Sequence, residues 1–306
     1  MNAIEIRNLS KNFGNKQALN GLNMTVPQGA IYGFIGENGS GKSTTEKIIC
    51  GLSLPGGGEV KLFGKDYRDA EVRSKIGVLI EAPGCFPNYS VWNNMMLQAA
   101  NLGIANPKEE VSKVLKTVRM DGSAGNKFKN CSLGMKQRIG IAFALLGNPK
   151  LLILDEPING LDADGMRIMR EVLLDVTKNY NCTVVISSHI LGELEKIATH
   201  YGIVRGGKMI SEMTAEELNA NCRTYVALKA KDMAAARAAL ERKYSRVETD
   251  EEEYIRIYDA VKAEQVVDYL YKDLHIAVTE IKTNKIGLEE YYIDLNREGR
   301  CKCKAL

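Results

Sequence analysis

An α/β protein built on a parallel sheet is predicted, with an N-terminal antiparallel β region, an inserted helical block and a separate C-terminal α+β unit. Three observations carry this. The run Ile31-Tyr32-Gly33-Phe34-Ile35 leads into Gly36-Glu37-Asn38-Gly39-Ser40-Gly41-Lys42-Ser43-Thr44 and then Thr45 to Cys50: a strand, a glycine-rich loop with the spacing G-x-x-x-x-G-K-[ST], and a helix. Two further apolar runs, Leu151 to Leu154 and Thr183 to Ile186, are continuous rather than alternating, as parallel strands covered on both faces require. Beyond about residue 213, strand and helix signals begin a new order of their own.

In chain order, Ile4, Ile6 and Leu9 alternate with polar residues, and Ala18 to Val26 does so roughly, so the chain opens as antiparallel strands with Phe13 in their connection. After the loop and its helix, Leu54-Pro55-Gly56-Gly57-Gly58 breaks the chain before strands at Glu59 to Phe63 and Ile76 to Ile80. From Val91 to about Gly147 the pattern is helical, interrupted around Asp121 to Asn126, and reads as a block of about residues 83–148 inserted into the α/β core. The alternation then resumes with the strand ending at Asp155-Glu156-Pro157, a helix near Asp164 to Lys178, and the strand ending at Ser187-Ser188-His189. Parallel strands present their carboxyl ends at one sheet edge, so Asp155, Glu156 and His189 are expected beside Lys42.

A glycine-rich turn with one solvated lysine would explain the loop motif alone, but not the strand before it and the helix after it. Glycines let successive N–H groups turn inward around an anion, and the helix dipole adds to the same point. Gly36, Asn38, Gly39, Ser40, Gly41 and Thr44 therefore read as the cradle of ATP phosphates, Lys42 as the cation on the β- and γ-phosphates, and Ser43 as a ligand of Mg²⁺. Asp155 would hold the metal with Ser43, in part through water. Glu156 would orient or deprotonate the attacking water, and His189 would contact the γ-phosphate and Glu156. An acidic residue after a strand often only caps a helix, and a histidine often satisfies a turn; the joint occurrence at strand ends favours the catalytic reading. Phe13 could stack on the adenine, although a lone phenylalanine is commonly core.

Composition narrows the partners. The 306 residues carry 41 Lys plus Arg against 38 Asp plus Glu, so no global electrostatic attraction to nucleic acid or anionic membrane is expected. Seven scattered cysteines without a C-x-x-C pair suit reduced thiols in the cytoplasm. Cys301 and Cys303 in the basic tail read as part of a disordered end rather than a metal or lipid site. There is no signal-peptide layout and no apolar run near the about 18 residues of a span, so no direct membrane insertion is expected, and any work at a membrane needs another chain as anchor.

The segment Cys131-Ser132-Leu133-Gly134-Met135-Lys136-Gln137-Arg138 resembles the signature motif of ATP-binding cassette (ABC) ATPases, commonly L-S-G-G-Q. The likeness covers residues 1–213, taking in Phe13, the phosphate loop, the loop at Glu81, the signature, Asp155-Glu156, Gly160-Leu161-Asp162 and His189. It implies a P-loop core of ABC type and a head-to-tail dimer with a second copy or a homologous ATPase subunit. Ser132, Gly134 and Met135 would meet the γ-phosphate held by the other copy. It also implies a separate transmembrane permease subunit, with this chain on the inner face of the cell membrane. Where most members have Gln, this chain has Glu81, which resembles exporters that protect bacteria from lantibiotics and bacitracin; beside Mg²⁺ that carboxylate would stay ionised and act as a metal ligand. The signature departs at Leu133 and Met135.

Residues 214–306 read as an accessory domain of βαββαβ order: Thr224 to Ala230, Asp232 to Lys243, Ser245 to Thr249, Tyr254 to Tyr258, Ala260 to Lys272 and Ile276 to Lys282, a ferredoxin-like unit. Thr214 and Glu217 suggest a capping box before it, and Leu288, Tyr291, Tyr292 and Leu295 form one stripe of a last helix. No cluster of His, Cys or acidic residues marks a site there, so a regulatory or dimer-supporting role and a plain packing module are both open. A rival to the transporter reading is an ABC-type ATPase that clamps nucleic acid or the ribosome. Repair members of that kind carry a long insertion between loop and signature, and the stretch from Ser43 to Ser132 is too short for one.

Overall fold

A computed structural model of the protein describes residues 1–221, 224–250, 252–258, 262–285, 287–293 and 295. Cys222, Cys301, Cys303 and the predicted helix start at Ala260 lie outside the described residues. The chain divides into two compact units, Met1–Ala215 and Glu216 onward.

The first unit opens with β1 (Asn2–Phe13) and β2 (Lys16–Pro27), an antiparallel pair. Phe13 is thus the last strand residue, opposite Lys16, and not part of a connection as expected. The alternation breaks at Asn8, whose φ is 50° and where the register shifts, so the period-2 signal fades although pairing continues. Then follow β3 (Ile31–Ile35), α1 (Lys42–Ile49), β4 (Gly57–Leu62), β5 (Lys65–Asp66), α2 (Ala70–Arg73) and β6 (Ile76–Leu79). The two short elements β5 and α2 carry no periodic signal. The helical block holds α3 (Val91–Asn101), α4 (Pro107–Thr117) and α5 (Leu133–Leu145), with 3₁₀ turns at Asp121–Ser123 and Phe128–Asn130. A second interruption, between α3 and α4, was not expected. The unit closes with β7 (Leu151–Asp155), α6 (Ala163–Tyr180), β8 (Thr183–Ser188), α7 (Leu191–Leu194), β9 (His200–Arg205) and β10 (Lys208–Thr214).

One sheet has the order β2-β1-β4-β5; the other has the order β10-β9-β3-β8-β7-β6, parallel except for β10 at its edge. A shared core joins them: Ile4, Leu22 and Leu62 from the first sheet pack with Phe34, Ile153 and Val185 from the second, under Ile48 and Ile49 of α1. Burying such side chains fully is worth about 1.5–3 kcal/mol each.

The division between the units falls at the start of α8 (Ala215–Asn221). The second unit contains β11 (Thr224–Ala230), α9 (Met233–Lys243), β12 (Val247–Thr249), β13 (Ile255–Ile257), α10 (Ala263–Asp268) continued by a π turn to Asp273, and β14 (Val278–Lys285). Its sheet order is β12-β13-β11-β14, antiparallel throughout, which is the ferredoxin-like arrangement. Alternation along β11 sends Val226 and Leu228 to the helix-covered core and Tyr225 and Ala227 to the other face, where they cluster with Tyr254 and Tyr258. Residues 288–293 are helical.

Candidate functional site

Register brings the site together. In the parallel sheet Ile35 pairs with Ser188, and Phe34 and Asp155 both pair with Ser187, so the phosphate loop, the end of β7 and the end of β8 leave from one edge. Gly41 has φ 114°, and a Cβ there would fall 2.7 Å from Leu19 and 3.0 Å from the Ala18 carbonyl; only glycine lets the loop lie this close to β2. No side chain caps α1, which leaves first-turn N–H groups for an anion. A cavity of about 280 Å³ opens here, lined by Phe13, Lys16, Ala18, Asn38, Gly39, Gly41, Lys42, Ser43, Thr44, Asp155 and Glu156.

Lys42 Nζ donates to the carbonyls of Gly36 at 2.5 Å and Glu37 at 3.2 Å. The Ser43 hydroxyl lies 3.4 Å from Asp155 Oδ2. Ser187 ties two strand ends together: its hydroxyl donates to Asp155 Oδ1 at 2.6 Å and accepts the Glu156 N–H at 3.1 Å. Glu156 sits at φ 50°, costly for a non-glycine residue, and its Oε2 lies 2.9 Å from His189 Nδ1. Phe13 lines the cavity and stays 54 % exposed, with Lys11 Nζ 5.1 Å from its ring centroid. Ser40 is buried in the loop.

Not every expected residue gathers here. Ser132, Gly134 and Met135 lie at the start of α5, where Ser132 Oγ accepts the Met135 N–H at 3.3 Å. They do not line the cavity. Glu81, at φ 67°, has its carboxylate 3.1 Å from Lys47 Nζ and also stays off the cavity lining. Sequence reasoning did not single out Ser187, Lys47 or Glu46. Glu46 is fully buried on α1. Burial pushes its carboxyl up to about 8, and the Asp155 charge adds to this, while the Lys42 charge pulls it back. Because the Ser187 proton goes to Asp155, neither Glu46 oxygen has a hydrogen-bond partner. A signal was present in that an acidic residue interrupts the apolar face formed with Ile48 and Ile49.

An uncapped helix start behind a glycine cradle fits polyphosphate. Ser43 and Asp155 offer the one or two hard oxygens that Mg²⁺ takes from protein when phosphates and water supply the rest.

The family described as ABC transporter matches residues 19–159. The bacitracin transport ATP-binding protein BcrA of Bacillus licheniformis is 35 % identical over 296 residues, 95 % of this chain and 96 % of its own. The lantibiotic transport ATP-binding protein SrtF of Streptococcus pyogenes is 41 % identical over 209 residues, 68 % of this chain and 90 % of its own. Among solved structures, cbiO1 of Clostridium perfringens, part of the ABC transporter complex cbiONQ, superposes with a TM-score of 0.66 at 26 % identity, covering 72 % of this chain and 91 % of that one. With its site at the parallel-sheet edge and relatives matched over almost their whole length, the chain belongs to the ABC transporter family as an ATP-binding, ATP-hydrolysing subunit.

Proposed function

We propose that this chain drives an exporter of peptide antibiotics, working as a nucleotide-sandwich dimer on a separate membrane permease. The observation that carries the catalytic part is Glu156 at the cavity that Lys42 and Ser43 line: its carboxylate lies 2.9 Å from His189 Nδ1, and its backbone N–H donates to the Ser187 carbonyl of β8. Lys42 neutralises the β- and γ-phosphates; Glu156 orients the water and accepts its proton; His189 holds Glu156 and meets the γ-phosphate. Ser43 and Asp155 would hold Mg²⁺, which would supply positive charge to offset that of the phosphates. Phe13 stacks on the base. Ser132, Gly134 and Met135, placed away from the cavity of their own chain, complete the site of the second copy.

Two relatives named for bacitracin and lantibiotic transport support the cargo class. No described helix is long and apolar enough to cross a membrane, so the cargo path belongs to the permease, and this chain works at the inner face of the membrane through it. A groove of about 350 Å³ between the β6 edge and the helical block, walled by Ile80, Pro83, Leu102 and Phe143, offers an apolar seat for a coupling helix of that permease.

Lys42→Ala tests the site. The ammonium now bonded to loop carbonyls gives charge-assisted bonds to phosphate, worth about 1.5–3 kcal/mol, so ATP affinity should fall roughly ten- to a hundredfold with adenosine binding unchanged. Calorimetry with both ligands checks this, and equal losses would indicate misfolding. Co-expressed with its permease, the same variant should lose tolerance to bacitracin or a lantibiotic; tolerance kept at the wild-type level would refute the cargo assignment.

Glu81→Gln removes one charge and with it the Lys47 ion pair, while keeping size and an acceptor oxygen. Mg²⁺ dependence of ATP binding should weaken, and basal hydrolysis should change a few-fold, about 1 kcal/mol or less in barrier. Cargo-stimulated turnover in the reconstituted complex should suffer more. Superimposable Mg²⁺ titrations together with intact stimulation would leave Glu81 without a special role.

A further inference from the structure

Two free thiols outside the cavity deserve a role. Behind Glu81 the chain runs antiparallel to the segment that leads into the signature: Ser90 bridges Lys127, the Phe128 N–H donates to the Tyr89 carbonyl at 2.9 Å, and the Lys129 N–H donates to the Pro87 carbonyl at 3.0 Å. Two residues from the Pro87–Lys129 contact on each segment stand Cys85 and Cys131, both free thiols; Cys131 follows the 3₁₀ turn Phe128–Asn130, and its Sγ donates to the Lys127 carbonyl at 3.6 Å. The loop is held in this register by Asn94, only 2 % exposed, which accepts the Phe86 N–H at 2.7 Å and donates to the carbonyls of Phe86 and Ser90. Cys85 is half-buried and Cys131 is buried.

We propose that Cys85 and Cys131 form a dithiol site that a peroxide closes to an intramolecular disulfide, tying the loop behind Glu81 to the residue next to Ser132. The more exposed Cys85 gives up its proton, and its sulfur attacks one peroxide oxygen; the O–O bond breaks, giving a sulfenic acid and hydroxide, which takes up the proton as water. The Cys131 sulfur then displaces hydroxide from that sulfenic acid, and the thiol proton joins it as a second water. Two thiols are oxidised and one peroxide is reduced to two waters. Burial pushes the Cys85 thiol up to about 12, and the neighbouring Cys131 adds to this; burial raises the Cys131 thiol as well. The thiolate is therefore scarce at neutral pH, the first step is slow, and the pair stays reduced until peroxide persists.

The consequence lies in the slack of residues 82–85. Glu81 is joined to the Asn94-held part of the loop only through these residues, and they also edge the apolar groove at Ala82, Pro83 and Gly84. A bond from Cys85 to Cys131 shortens that tether while Ser132, the N-cap of α5, is one residue away. The existence of the site is independent of the proposed roles of Glu81 and Ser132; only its effect on turnover rests on them.

The test treats the native full chain with hydrogen peroxide, alkylates the remaining thiols, and looks by mass spectrometry for a peptide pair joined through Cys85 and Cys131. The linked pair should appear, vanish on dithiothreitol treatment, and be absent from C85S and from C131S. Cys50 and Cys182, both buried, should remain alkylatable only after unfolding. Cys85 and Cys131 recovered unlinked after oxidation, or oxidised separately, would overturn the site, and this reading needs no variant to fold. In the same samples ATP hydrolysis should fall about three- to tenfold, as expected when a loop that must move is tethered, and recover on reduction. C85S should show no peroxide-dependent loss. A linked chain with unchanged turnover would overturn the link to catalysis and leave the assignments at the ATP cavity untouched.

Discussion

Glu156→Gln should bind ATP as the wild type does and lose at least about a hundredfold in turnover, the contribution expected of a positioned general base. The amide keeps the shape of the group beside His189, and the backbone N–H of residue 156 still reaches the Ser187 hydroxyl and carbonyl. What it loses is the capacity to accept a proton from water. Uncleaved nucleotide should then hold two copies together, so the ATP-bound dimer should accumulate. Phosphate release gives the rate, and sedimentation with and without ATP gives the assembly state. Wild-type turnover in the variant would remove Glu156 from the mechanism, while lost turnover without an ATP-dependent dimer would separate the chemistry from the sandwich.

Glu46→Leu should stabilise the fold, and increasingly so as the pH rises. The folded carboxyl stays protonated up to about 8, against an ordinary value of 4.5 in the unfolded chain. Between those limits the folded state carries the extra proton, so wild-type stability falls with rising pH by about 1.4 kcal/mol per unit from this group and levels off above about 8. The full span is on the order of 5 kcal/mol at this buried position, to which an unpartnered neutral carboxyl adds its own desolvation cost at low pH. Urea titrations of both proteins from pH 5 to pH 9, expressed as a difference, cancel the other titrating groups. A difference that does not change with pH would show that Glu46 ionises normally.

Legibility in the sequence followed the range of the forces involved. The phosphate loop, Asp155-Glu156 and His189 could be placed at one sheet edge because continuous apolar runs identify parallel strands, and parallel strands share an edge; the pairing of Ile35, Ser187 and Asp155 is the outcome. The βαββαβ order of the second unit was legible for the same reason, since each strand and helix carries its own period. Lys47 beside Glu81 was not, because the two are brought together by a turn of α1 meeting a loop, with no spacing rule between them. Ser187 was equally hidden: a serine at a strand end is ordinary until its hydroxyl is found between Asp155 and the Glu156 amide. Glu46 was visible as a pattern violation, yet its meaning depends on Asp155 lying behind it, which is a tertiary fact.

The sheet of the second unit ends on one side in β12, three residues long, and on the other in β14, whose eight residues Val-Thr-Glu-Ile-Lys-Thr-Asn-Lys carry charge along an exposed margin. Glu280 and Lys282 are further committed to the Tyr254 hydroxyl. A short border on one flank and a charged one on the other both discourage a foreign strand from annealing to the ladder. Concentrated preparations of this chain should accordingly resist growing into β-linked fibres through that unit, and whatever it recognises should be met by its faces and not by its rim.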